Sequence, residues 1–204
     1  MICLFSCQDE KEACSKFDHE VYRNDPVDTV LWKEALGFRD TVMEWFNVRP
    51  VKERTSTYYH LLYYSSFGFG KSIKIENKNS EYFLSVNHFP EKGNYSNGKN
   101  YEIKISKEEW NKFEMMIYEF NFWTESQFKA NRDVLDGYCY FLEGHRPEAL
   151  KCNKKVHQIV FRGSPGYDKI GALCDYICDY EDQLALTYGK REILPLNNPG
   201  PELK

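Results

Sequence analysis

The residues in this chain best suited to acid–base work are Asp136, Glu143, His157 and Arg162, all within the stretch DVLDGYCYFLEGHRPEALKCNKKVHQIVFRGSP from Asp133 to Pro165. A carboxylate beside an imidazole can hold or relay a proton, and a thiol beside an imidazole can act as a nucleophile. Chain pairing decides whether any of them meet. Tyr138, Tyr140 and Leu142 alternate with Cys139, Phe141 and Glu143, the period of two that a strand imposes. In a second run Val156 and Val160 share one face, while His157, Ile159 and Phe161 share the other. Between them, Gly144 to Lys154 holds Gly, Pro, Asn and charges with no apolar periodicity, and reads as a long hairpin loop. Strands paired about the middle of that loop put Phe141 roughly opposite His157, with Glu143 two residues along on the same face. That register allows a Cys139–His157 or a Glu143–His157 pair. No nucleophile elbow, H-E-x-x-H or second carboxylate cluster accompanies either. Asp136-Gly137 reads as a turn before a strand, and His157 alternates with Ile159 and Phe161 as a residue of a packed face does. These four residues are site candidates, and no catalytic residue is assigned.

Ser164-Pro165 supplies an N-cap and a first helical residue after the second strand. The order F-W, L-D-G, L-E-G, then H, R-x-S-P and a helix with Leu-Cys is carried here by Phe122, Trp123, Leu135, Asp136, Gly137, Leu142, Glu143, Gly144, His157, Arg162, Ser164, Pro165, Leu173 and Cys174. This pattern resembles an uncharacterised family of bacterial α+β proteins, often lipoprotein-like, over roughly Tyr58 to Asp179. The family usually carries a Trp before the Ser-Pro, where this chain has Gly163, and an aromatic residue where it has Cys139 or Tyr140. The resemblance implies a fold and supplies no enzymatic activity.

A chain of 204 residues can build one domain with a real core. Its formal charge of −4 gives no general attraction to nucleic acid or anionic lipid, and the one concentrated basic patch, Lys151, Lys154 and Lys155, is small. No apolar stretch is long enough to span a membrane as a helix. None of the seven cysteines forms the C-x2-C spacing of a zinc site. Cys174 and Cys178 lie one helical turn apart, yet no matching His or carboxylate set completes a metal site. Phe67-Gly68-Phe69-Gly70-Lys71 lacks the length and the glycine spacing of a phosphate loop and reads as a turn. No metal or cofactor is expected.

The elements follow in order. Asp25 and Pro26 open a helix whose apolar positions are Leu31, Ala35, Phe38, Val42 and Trp45, widened by Trp32 and Phe46. Strands are expected at Thr57–Ser65, Ser72–Glu76, Glu81–Phe89 and through Tyr101, Ile103 and Ile105, with a turn at Asn77–Ser80 and an exposed loop over 90–100. Ser106-Lys107-Glu108-Glu109 is a capping box opening a helix with Trp110, Phe113, Met116, Ile117 and Phe120 inside. A last helix from about Tyr167 to Leu186 turns Ile170, Leu173, Cys174 and Ile177 inward and leaves Asp175, Asp179, Glu181 and Asp182 mostly outside. The expected architecture is a single α+β domain over 25–188, an antiparallel sheet of about five to seven strands packed with two or three helices. Residues 1–24 form a stub and tether, and 189–204 a loosely held tail.

At the start, Leu4-Phe5-Ser6-Cys7 resembles the end of a bacterial lipoprotein signal, and Gln8 to Glu12 the acidic tether that follows one. Only six residues precede Cys7, short of a full secretory signal, so either the true start lies upstream or this is an ordinary cytosolic N-terminus. The leading expectation is a non-catalytic binding or structural protein of the cell envelope, with Cys7 lipidated and membrane contact through that anchor only. A soluble cytosolic inhibitor or immunity-type protein is one alternative. A hydrolase using His157 with Cys139 or Glu143 is the other.

Overall fold

The run Thr57–Ser65, TYYHLLYYS, is apolar with little alternation, and such a strand has to be covered on both faces. In the computed structural model, which describes residues 29–45, 56–89, 99–130, 137–164, 168–189 and 191–192, this strand is β1 and lies inside a single sheet. The other strands are β2 (Gly70–Lys78), β3 (Glu81–Phe89), β4 (Lys99–Ile105), β5 (Phe128–Ala130), β6 (Tyr138–His145), β7 (His157–Gly163) and β8 (Arg191–Glu192). The helices are α1 (Thr29–Trp45), α2 (Lys107–Glu119) and α3 (Lys169–Tyr188). Strand order is β5-β7-β6-β1-β2-β3-β4-β8, antiparallel except where β5 runs parallel to β7. The fold class is therefore the expected α+β. The two end strands, three and two residues long, are too short to leave an alternation in sequence.

Each face of the sheet has its own core. On one, Tyr59, Leu61, Ile73, Ile75, Leu84, Val86 and Ile103 pack with Trp110, Phe113 and Ile117 of α2 and with Leu173, Cys174 and Ile177 of α3. On the other, Leu62, Cys139, Phe141 and Phe161 pack with Ala35, Val42 and Met43 of α1. Each such aliphatic or aromatic side chain, fully buried, contributes about 1.5–3 kcal/mol. α1 buries Ala35 and Val42 as expected, but adds Met43 and leaves Phe38 at the surface. Its start at Asp25 and Pro26 lies outside the described residues, as do most of the 90–100 loop and the tail.

Local chemistry sets the element ends. Asn79 and Ser80 both take positive φ, 54° and 65°, in the two-residue turn between β2 and β3. Ser106 caps α2, its Oγ accepting from the Glu109 N–H at 3.1 Å. The cap of α3 differs from expectation. Asp168, not Ser164, holds it, accepting from the Gly171 N–H at 2.7 Å. Ser164 takes φ 44° instead, and Pro165 lies outside the described residues. A carboxylate at Asp168 also meets Arg162, so it serves two partners where a hydroxyl would serve one.

The hairpin loop also departs from its reading. Gly144 and His145 remain in β6, Arg146 is 1 % exposed, and Pro147–Cys152 winds into a 3-10 helix. The Arg146 guanidinium lies 3.8 Å from the centre of the Trp123 ring and its Nε donates to the Lys155 carbonyl at 2.7 Å. Gly144 is needed where it stands: a Cβ there would come within 2.6 Å of the Phe122 ring.

Candidate functional site

Register across the three middle strands lays out two rows on the α1 face. Tyr58 of β1, His145 of β6 and His157 of β7 are cross-strand partners in one row. His60, Glu143 and Ile159 form the next. The second row places Glu143 at the middle strand, and the neighbouring row leans toward it. The Tyr58 hydroxyl donates to Glu143 Oε1 at 2.8 Å, and His157 Nε2 reaches the same oxygen at 2.9 Å. From above, Arg39 of α1 donates to Glu143 Oε2.

This carboxylate is nearly out of water, with 7 % of its side chain exposed. Burial alone would push it up. Hydrogen bonds from His157 and Tyr58 and the charge of Arg39 outweigh that, and hold Glu143 down to about 2. With Glu143 ionised, the His157 nitrogen facing it carries the hydrogen. His157 keeps 27 % of its side chain exposed and is the part of the group nearest solvent. Tyr58 stacks on His145, ring centres 5.5 Å apart, and His145 Nδ1 sits 3.2 Å from the Ser56 carbonyl. His60 is buried beside the group, its Nε2 2.8 Å from Ser72 Oγ. Desolvation lowers His60 to about 4 despite the pull of Glu143, so it is neutral.

The sequence candidates therefore separate. Glu143 and His157 meet. Arg162 does not join them: its parity along β7 sends it to the opposite face, 1 % exposed, with Nε donating to Asp168 at 2.6 Å and Nη1 to the Ser126 carbonyl at 3.0 Å. It ties the loop before β5 to the start of α3. Asp136 lies outside the described residues. Cys139 is on the right face at the wrong end, opposite Gly163, because Phe141 pairs with Phe161 and not with His157. The pairing is shifted since Gly144 and His145 extend the strand. Burial pushes the Cys139 thiol up to about 12, so it is a protonated apolar group and no nucleophile.

Four members were missed. His60 is the lone polar residue in the middle of an apolar strand, and Tyr58 shares its parity, so both had a signal. His145 ends β6 inside a stretch whose Gly, Pro and charges give no strand signal. Arg39 comes from a helix whose docking angle no local pattern encodes. Among the described residues, no group of three or more His, Cys, Asp or Glu side chains is arranged to hold a metal ion. No protein-family model matches the chain, and no curated protein or solved structure matches it either.

Proposed function

We propose that the protein is a non-catalytic binding or structural protein, held at the bacterial envelope by an acylated Cys7. The observation that carries the non-catalytic half is the commitment of Glu143. Its two oxygens take Tyr58, His157 and Arg39, so this carboxylate is built as a fixed anion holding α1 to the sheet. A carboxylate held near 2 is a poor proton acceptor at neutral pH. Support for the envelope half comes from the Leu4-Phe5-Ser6-Cys7 match, which lies outside the described residues. No described helix is long and apolar enough to cross a membrane, so attachment would rest on the lipid.

Intact mass of the protein from its native host, with membrane and soluble fractions kept apart, tests this. The expected species is membrane-bound, begins at Cys7, and is heavier by a diacylglyceryl and an acyl chain. A soluble, unlipidated chain beginning at or near Met1 would replace this reading with the cytosolic inhibitor or immunity-type protein.

The His157–Glu143 pair favours a second reading, a hydrolase in which Glu143 orients His157 as general base. In that case His157→Ala abolishes turnover of a panel of ester and amide substrates at unchanged fold. Under the leading reading, native protein and variant are alike inactive and the variant is only less stable.

A further inference from the structure

Where β1 turns into β2, the stretch Ser66-Phe67-Gly68-Phe69-Gly70 carries no charge and leaves both phenylalanines in water, Phe67 72 % exposed and Phe69 39 %. Turns at a surface ordinarily hold polar residues. The backbone beneath these rings is fixed. The Ser65, Ser66 and Gly68 N–H groups donate to the Phe69, Gly137 and Ser65 carbonyls, each at 2.9 Å, and the Phe67 N–H reaches Ser65 Oγ at 3.3 Å. Gly68 takes φ 89°, a conformation that a side chain there would resist. Two half-buried tyrosines stand behind the apex. Tyr63 packs on Phe69 with ring centres 5.9 Å apart, and on Tyr138 at 5.8 Å. Lys71 and Asp175, the described charges behind them, are both engaged. Lys71 donates at 2.7 Å to Glu181, which lies buried against the sheet with His88 at 3.9 Å, not on the outer side of α3 as periodicity suggests. Asp175 accepts from the Tyr140 hydroxyl at 2.5 Å.

We propose that this hairpin tip is a lipid-contact site, at which the folded domain seats Phe67 and Phe69 in the interfacial layer of a bilayer with Tyr63 and Tyr138 at headgroup depth. Three observations select lipid as the occupant. A bilayer penalises every N–H that leaves water unpaired, and the four successive N–H groups of residues 65–68 are all paired within the protein. It rejects charge, and residues 66–70 have none. It also sorts side chains by depth, apolar rings outermost and amphipathic tyrosines behind, the order found here. A pocket on a protein partner imposes no such order. With a formal chain charge of −4, the attraction is apolar and not electrostatic, so it needs neither anionic lipid nor low salt. The register that pairs Ser65 with Tyr138 and His60 with Glu143 sets the tip toward the far end of β1 from Tyr58. Contact therefore leaves the Glu143 group clear of the membrane. It does not depend on acylation of Cys7, and on a chain so anchored it would add a second attachment that fixes orientation.

The test is flotation of the full chain, prepared without lipid, with vesicles of pure phosphatidylcholine over a range of lipid concentrations. Because no acyl group is present, the result bears on the tip alone and leaves the reading of Cys7 to the intact mass. The chain should float with the vesicles, and added salt should not release it. Phe67→Ser should weaken binding about tenfold, the effect of losing one largely buried phenylalanine, at an unchanged melting temperature. Met115→Ser, which removes an exposed apolar side chain of α2, should bind as the unmutated chain does. In Phe67→Trp the new indole should be quenched by brominated acyl chains. A chain that stays with the soluble fraction, or a Phe67→Ser variant that floats equally well, overturns the proposal. So does binding that requires anionic lipid, or self-association without lipid that Phe67→Ser abolishes, which would give the tip to a second copy of the chain.

Discussion

Glu143→Ala is expected to lower the unfolding free energy by about 3–5 kcal/mol, the usual cost of leaving one side of a buried ion pair without its partner. The substitution strips Arg39, 13 % exposed, of the buried Glu143 carboxylate, leaving it the exposed Asp40 at 3.5 Å, and removes the oxygen that accepts from the Tyr58 hydroxyl and the His157 N–H. Glu143→Gln should cost less, about 1.5–3 kcal/mol, since an amide oxygen still accepts from one or two donors but carries no charge for Arg39. Urea unfolding of the three proteins measures both. A loss under about 1 kcal/mol for the alanine variant is what an exposed pair would give. It would mean that α1 does not rest on this contact.

Acidification should weaken the protein in two steps. His60 is lowered to about 4, chiefly by desolvation, against an ordinary value of 6.5. Between those limits the unfolded chain binds the proton and the folded chain does not, so stability is full above 6.5 and falls as pH drops toward 4. The loss is about 3 kcal/mol. Glu143 is also lowered, from 4.5 to about 2, and as an acid its contribution is present above 4.5 and disappears as pH falls to 2. That second step is of similar size, about 3 kcal/mol. Urea midpoints from pH 7 to pH 2.5 should show both. His60→Gln, which keeps a hydrogen-bonding group beside Ser72 and does not titrate, should flatten the first step and leave the second. A chain equally stable at pH 6.5 and pH 4 would show that His60 accepts its proton in the folded state.

Much of the fold was legible because the middle strands and α2 obey simple periods. Ser106 caps where a capping box requires, and Trp110, Phe113 and Ile117 are buried at helical spacing. β5 and β8 were not legible, being too short to show alternation. Glu181 and Ser164 mark the other limit, since helical parity cannot foresee a lysine and a histidine on the sheet, nor a better cap at Asp168. Of the candidate site, the Glu143–His157 pair was readable from parity. Arg162 was separable by the same parity, one residue off the His157 face. Arg39 was not, because its arrival depends on how a helix docks across strands far away in sequence.

The seam between β1 and β6 has a consequence for how the chain finds its shape. β1 through β4 are joined by hairpins and pair in sequence order, so they can assemble from local contacts. β6 and β7 form a second local hairpin. The eight-pair β1–β6 ladder closes the long loop between the two halves, with the two-pair β4–β8 ladder as a lesser link, and most of the entropy of that closure falls on the β1–β6 step. Glu143 and Tyr58 stand on opposite sides of it. A one-residue slip would turn every β1 side chain to the other face, carrying Tyr58 away from Glu143 and setting Tyr59 in its row. The polar group thus acts as a checksum on assembly, satisfied in one alignment of the two halves and broken in its neighbours.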